Sequence, residues 1–109
     1  MPENLTDKIA IGVLRTFLLR NGIYPSDDWN AEDPNCVYNS NGYRIYTLSG
    51  VVAPEISDNL DTLFEKLAAY LDNQNKCDVS LKFFPFDLEV YDCPCGCSTA
   101  AYISIYTVA

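Results

Sequence analysis

Two segments late in the sequence alternate apolar and polar residues with a period of two. In residues 79–91, Phe86, Leu88 and Val90 fall on one side and Asp87, Glu89 and Tyr91 on the other. In residues 99–108, Ile103 and Ile105 oppose Tyr102, Ser104 and Tyr106. A period of two is the signature of a strand with one covered and one open face. Residues 92–98 are a short connection, so the two strands pair as an antiparallel hairpin. A slip of one residue would exchange the two faces. Pro85 interrupts the first strand, which predicts a bulge or an edge position there.

A half-apolar sheet needs a cover, and two helical stretches can supply it. The first runs over residues 5–19. Thr6 suits its N-cap, Asp7 suits the positive end of its dipole, and Asn21-Gly22 suits its stop. Leu5, Ile9, Val13 and Phe17 form one apolar stripe, and Ile11, Leu14 and Leu18 a second. A helix apolar on most of its circumference calls for burial on two sides, in the fold or on a partner. The second helix starts near Pro54 or Ser57 and ends near Asp72. Ile56, Leu60, Leu63, Leu67 and Leu71 recur at spacings of three and four on its buried side. Asp58, Asp61, Glu65 and Asp72 share the opposite side as an acidic ridge, preceded by Glu55 near the N-terminus.

Between the helices, residues 23–42 are dominated by turn formers. Residues 43–52 alternate as a strand, with Tyr43, Ile45 and Thr47 opposed to Arg44, Tyr46 and Leu48. Residues 36–38 can pair with it across a hairpin turn at residues 39–42. The expected architecture is α+β: two helices packed on one face of a small antiparallel sheet of three or four strands. The order is α-β(β)-α-β-β with a C-terminal hairpin, and residues 1–109 make a single domain.

Charge narrows the possible functions. Fifteen acids face seven bases, for a net charge of −8. Such a surface repels nucleic acid and anionic membrane and attracts basic proteins. Histidine is absent. That removes the usual general base near neutral pH, the Ser-His and Cys-His nucleophile pairs, and the commonest metal ligand. There is no phosphate-binding glycine loop and no dinucleotide fingerprint. An enzyme is therefore not expected, and no cofactor is. The first residues lack the cationic start and apolar run of a secretion signal, and no apolar stretch reaches the roughly 20 residues of a membrane span. A cytoplasmic protein with reduced thiols is expected.

Four features could carry chemistry. Cys93, Cys95 and Cys97 lie within five residues, with Cys77 and Cys36 elsewhere. With Cys77 they could bind a soft metal, but the one-residue spacing departs from the paired pattern of zinc sites. Thiols packed as small apolar groups in a Pro-Gly turn explain the cluster better, and a Cys93–Cys97 disulfide is sterically conceivable. The second feature is acid: the ridge on the second helix, and Asp27, Asp28, Glu32 and Asp33 in the central loop. Most acidic helix faces are solvated surface, but this excess also suits a basic groove. The third is Trp29, set among those loop acids: either an exposed contact for an Arg-rich partner or, with Tyr24, a pin that holds the loop to the core. The fourth is a tyrosine face: Tyr91, Tyr102, Tyr106 and Tyr43 can share the outer side of the sheet.

In charge and size alone, with no shared motif, the chain resembles small acidic single-domain inhibitors encoded by phages and other mobile elements, the anti-CRISPR proteins among them. Some of these imitate nucleic acid. The resemblance implies a non-enzymatic protein that blocks a basic, nucleic-acid-handling partner in the cytoplasm of a host cell. Asp27, Asp28, Trp29, Glu32, Asp33, Asp58, Asp61 and Glu65 are the expected contacts. Both a monomer and a homodimer fit the sequence. A small assembly subunit of a virion or other complex, associating through the first helix or the tyrosine face, and a metal- or redox-responsive protein built on the thiols are the alternatives.

Overall fold

The computed structural model describes residues 5–26, 29–53, 62–77, 81–94 and 98–108. In chain order the elements are α1 (Leu5–Arg20), β1 (Ile23–Pro25), β2 (Val37–Ser40), β3 (Tyr43–Val52), α2 (Leu63–Cys77), β4 (Phe84–Asp92) and β5 (Thr99–Val108). The class is α+β, as the hydrophobic periods require. The sheet has five antiparallel strands, however, not three or four. The additional strand is β1, three residues that include Pro25 and carry too little alternation to stand out from a loop.

β3 and β5 pair along their whole length, from Tyr43 opposite Val108 to Val52 opposite Thr99. β4 covers the far edge of β5. β1 and β2 share the remaining edge of β3, with Ile23 opposite Val52 and Val37 opposite Tyr46. The turn into β3 is an Asn-Gly pair, Asn41 at φ 52° and Gly42 at φ 83°. Both angles are positive, as the tightest hairpin turn demands. The turn into β1 is the stop of α1. There the Asn21 amide bonds back to Phe17 and Leu18, Gly22 takes φ 74°, and the Gly22 carbonyl accepts from Ala53.

Alternation then sorts the sheet. Tyr46, Leu48 and Val52 of β3 and Ala101, Ile103 and Ile105 of β5 share one face and join a single core with both helices. α1 buries Ala10, Ile11, Leu14, Phe17 and Leu18 there, and α2 buries Leu63, Leu67 and Leu71. The helices touch each other through Phe17 and Tyr70, whose ring centroids lie 5.3 Å apart. Burial of each such Leu or Phe contributes about 1.5–3 kcal/mol.

Three local features differ from expectation. α1 is buried on one side only: Ile9 and Val13 pack at the core margin, and Leu5 and Leu19 are exposed. A helix lying on a flat sheet has a single neighbour below it, and α2 reaches only its shoulder. α2 continues to Cys77, past Asp72. Its last turn is held by Asn75, whose side chain donates to the Phe83 carbonyl at 2.7 Å and accepts from the Phe83 amide at 2.9 Å. Its expected start, including Ile56 and Leu60, lies outside the described residues. Finally, Phe86 does not share a face with Leu88 and Val90. The register shifts by one residue between Pro85 and Asp87. Phe86 is the extra residue of this bulge and sits on the outer side, 5.9 Å from Tyr106 between ring centroids.

Two glycines separate a packed position from an open one. A Cβ on Gly50 would stand 2.3 Å from the Tyr24 carbonyl oxygen and 2.7 Å from the Ile23 side chain, whereas one on Gly12 meets nothing within 4 Å. Gly50→Ala is expected to destabilise the chain by about 1–3 kcal/mol through overpacking β1. Gly12→Ala is expected to stabilise it by about 0.5–1 kcal/mol through helix propensity and a less free unfolded chain. Urea denaturation of the two variants checks both signs.

Candidate functional site

The helices cover one face of the sheet, and the alternation sends the tyrosines to the other. Register places Tyr24, Tyr38, Tyr43, Tyr102, Tyr106, Phe84 and Tyr91 on this outer face, and the bulge adds Phe86. Six of these eight rings form two groups. Around Tyr106 stand Tyr43, Phe84 and Phe86, at centroid distances of 4.7, 5.6 and 5.9 Å. Tyr91 and Tyr102 form the second group at 5.4 Å, edge to face. Between the groups runs a polar band, where the Thr47 and Ser104 hydroxyls lie 2.7 Å apart opposite Asp87. The rings are half in water: Tyr102 is 42 % exposed and Tyr91 54 %. Beneath them Ile45, flanked by Tyr38 and Tyr106, is only 2 % exposed. Apolar area of this kind, framed by polar groups, is the usual composition of a contact surface.

Charge is distributed unevenly between the two sides. The strand residues of the outer face carry Asp87 and Glu89 and no base. Lys8, Arg15 and Arg20 are on α1, Lys66 and Lys76 on α2, and Lys82 precedes β4. Arg44 is on β3 but turned to the helix side, onto Asp7. The Glu89 carboxylate accepts from the Tyr91 hydroxyl at 2.8 Å, which raises the Tyr91 pKa above the ordinary phenol value.

A groove opens at one margin of this face. β1 and β2 leave residues 47–49 of β3 without a strand partner on that edge, and the loop between them fills the gap. The Thr47 amide donates to Cys36, and the Ser49 carbonyl accepts from the Ser26 amide and from Trp29 Nε1 at 2.8 Å. Trp29 is 6 % exposed, and the Arg15 guanidinium donates to its carbonyl. It pins the loop without Tyr24, which stands exposed on the outer face. Of the two readings of Trp29, burial supports the pin and not the exposed contact. Outside this plug Trp29, Asn30, Asp33, Asn35, Cys36, Thr47, Ser49 and Tyr102 line a groove of about 660 Å³.

The acidic candidates are only partly in view. Asp27, Asp28, Asp58 and Asp61, like Glu55, lie outside the described residues. Glu32 is exposed, Asp33 is half-buried in the groove wall, and Glu65 is exposed on α2. Asp72 is paired at 3.2 Å with Lys76, one turn on, so this end of the ridge is partly neutralised. Of the thiols, Cys36 is buried, Cys77 exposed and Cys93 half-buried, and Cys95 and Cys97 lie outside the described residues. Among the described residues no three potential ligands gather to hold a metal, and no helix is long and apolar enough to cross a membrane.

One cluster was not anticipated. Asp7, in the first turn of α1, is 3 % exposed. The Arg44 Nε and Nη2 atoms donate to its two carboxylate oxygens at 3.0 and 2.5 Å, and the Tyr46 hydroxyl donates at 2.9 Å. Asp7 was legible as a helix-dipole residue, but its partners 37 and 39 positions away left no local signal. Burial and the bond to Asp7 push the Tyr46 pKa well above its ordinary value, and the Asp7 bond raises that of Arg44. Tyr46 is fully buried, so its proton is held rather than exchanged with a substrate. The cluster ties α1 to β3.

No family model matches the chain, and neither the curated proteins nor the solved structures searched contain a match.

Tyr46 fixes a pH dependence. Its unfolded pKa is near 10 and its folded one is higher, so the folded state binds the proton more tightly. The stabilisation is complete below about pH 10 and is lost as pH rises toward the folded value. The urea midpoint of the chain should fall above about pH 10. Tyr46→Phe should lose about 1 kcal/mol at neutral pH and show a shallower alkaline decline. Identical alkaline slopes for the two proteins would rule out this role for Tyr46.

Proposed function

We propose that the chain is a non-catalytic binding protein that engages a basic partner protein through the open face of its sheet. One observation carries this reading: a face that neither described helix covers, bearing two aromatic groups whose only strand-borne charges are Asp87 and Glu89. Rings with adjacent carboxylates and no competing cation favour arginine and lysine side chains, by cation–π contact and by ion pairing. The excess of acid over the whole chain steers such a partner in from a distance. A blocking role at a nucleic-acid-handling machine follows naturally, since the working surfaces of such machines are basic. Exposed acids of the helix and loop, Glu65 and Glu32, then lie outside the principal contact and act through the long-range field. Base stacking on the same rings is disfavoured, because no cation stands on that face to meet a phosphate. Face-to-face pairing of two copies is also disfavoured, because it would oppose like charges.

An arginine-rich dodecapeptide is a sufficient first probe. Titration into isotopically labelled protein should shift the resonances of Tyr91, Tyr102 and Tyr106, leave α2 unmoved, and weaken by about tenfold or more when salt rises from roughly 0.05 to 0.5 M. Glu89→Lys should abolish most of the shift. Changes confined to α2 would transfer the contact to the acidic helix. A stable dimer in sedimentation, broken by Tyr106→Ser, would replace the proposal with the assembly reading.

A further inference from the structure

We infer that the groove between the central loop and the β3–β5 ladder is a seat for an arginine side chain, the anchor of a basic partner on the open face. The inference rests on that face being the contact surface, and it adds the position and identity of one bound group. The groove meets the face at Tyr102, which belongs to both. Among the described residues its lining holds one carboxylate, Asp33, and no cation. Asp33 is placed rigidly: its Oδ1 accepts from the Asn35 amide at 2.8 Å, and its carbonyl accepts from the Cys36 and Val37 amides. Its Oδ2 has no hydrogen-bond partner among the described residues. Thr47, Ser49 and Tyr102 also line it, and register puts all three on the open face of the sheet.

The arrangement suits guanidinium better than ammonium. A planar group with donors along several edges can bond Asp33 on one side, reach hydroxyl oxygens on the other, and lay its face on a phenol ring. An ammonium makes the ion pair but forfeits the stacking and the second edge. The walls are also preformed. The Trp29 indole is bonded to Ser49 and packed in the core, so Trp29 needs no ordering when a side chain enters. At about 660 Å³, the space admits the side chain together with part of the peptide that bears it.

The test uses the whole chain and two dodecapeptides of equal charge, one rich in arginine and one in lysine. With the arginine peptide, the Trp29 indole N–H resonance should shift along with Tyr102. Affinity for arginine over lysine should be about fivefold or more. Asp33→Asn keeps the turn acceptor and should remove that preference, while leaving the binding of the lysine peptide nearly unchanged. Ser49→Gln, which adds bulk to the groove from a half-buried position, should do the same. Should Tyr91 and Tyr106 respond while Trp29 does not, and Asp33→Asn bind both peptides as the parent does, the seat is refuted and the face reading stands. Should neither peptide perturb the face at all, the face reading falls and the seat with it.

Discussion

The ten-residue ladder between β3 and β5 sets the terms for the rest of the molecule. Every residue in a paired strand must face one way or the other, and its neighbours must face the opposite way. Tyr46, Leu48, Ile103 and Ile105 are committed to the helices. Their alternates, Tyr43, Ile45, Tyr102 and Tyr106, are thereby committed to the open side. A slip of register would move both sets at once, because the register that buries the aliphatic residues is also the one that displays the phenols. The aromatic surface is the second product of the pattern that builds the core.

The cover is fastened to this ladder at a few polar points. Asp7 receives Arg44 and Tyr46 at the start of α1, Asn75 grips the backbone at Phe83 at the end of α2, and Trp29 donates to Ser49 where the edge of β3 lacks a strand. Each fastening satisfies groups that burial would otherwise leave unpaired, at a cost of about 1–3 kcal/mol apiece. They also divide the charge. Arg44 is drawn inward to Asp7, and the remaining bases lie on the helices or just before β4, so the exposed phenols are left with acids alone.

The sequence made the class, both helices, the Asn-Gly hairpin and the outward Tyr43, Tyr91, Tyr102 and Tyr106 legible, because each depends on a local period or a turn residue. Leu63, Leu67 and Leu71 could be assigned to the core from spacing alone. What was hidden depends on contacts distant in sequence. β1 is too short to alternate and is a strand only because Gly50 lets it approach β3. The side taken by Phe86 follows from a bulge that Pro85 hinted at without fixing its register. The Asp7 cluster and the groove join positions separated by 37 residues or more and by the whole loop, respectively, so no window along the chain contains them. The acidic ridge is the converse case: conspicuous on a helical wheel, yet at Asp72 already paired with its own Lys76.

The bulge at Pro85 has a consequence beyond the placement of one ring. β4 is an outer margin of the sheet and carries two phenylalanines and a tyrosine, a composition that invites strand-by-strand stacking into fibrils. Proline contributes no amide to such stacking, and the register shift beside it breaks the straight run of donors and acceptors that a templated strand must copy. At the other margin β1 and β2 are three and four residues long, too short to template much. The protein can thus keep a sticky, aromatic surface in water while growth along both rims of its sheet is obstructed.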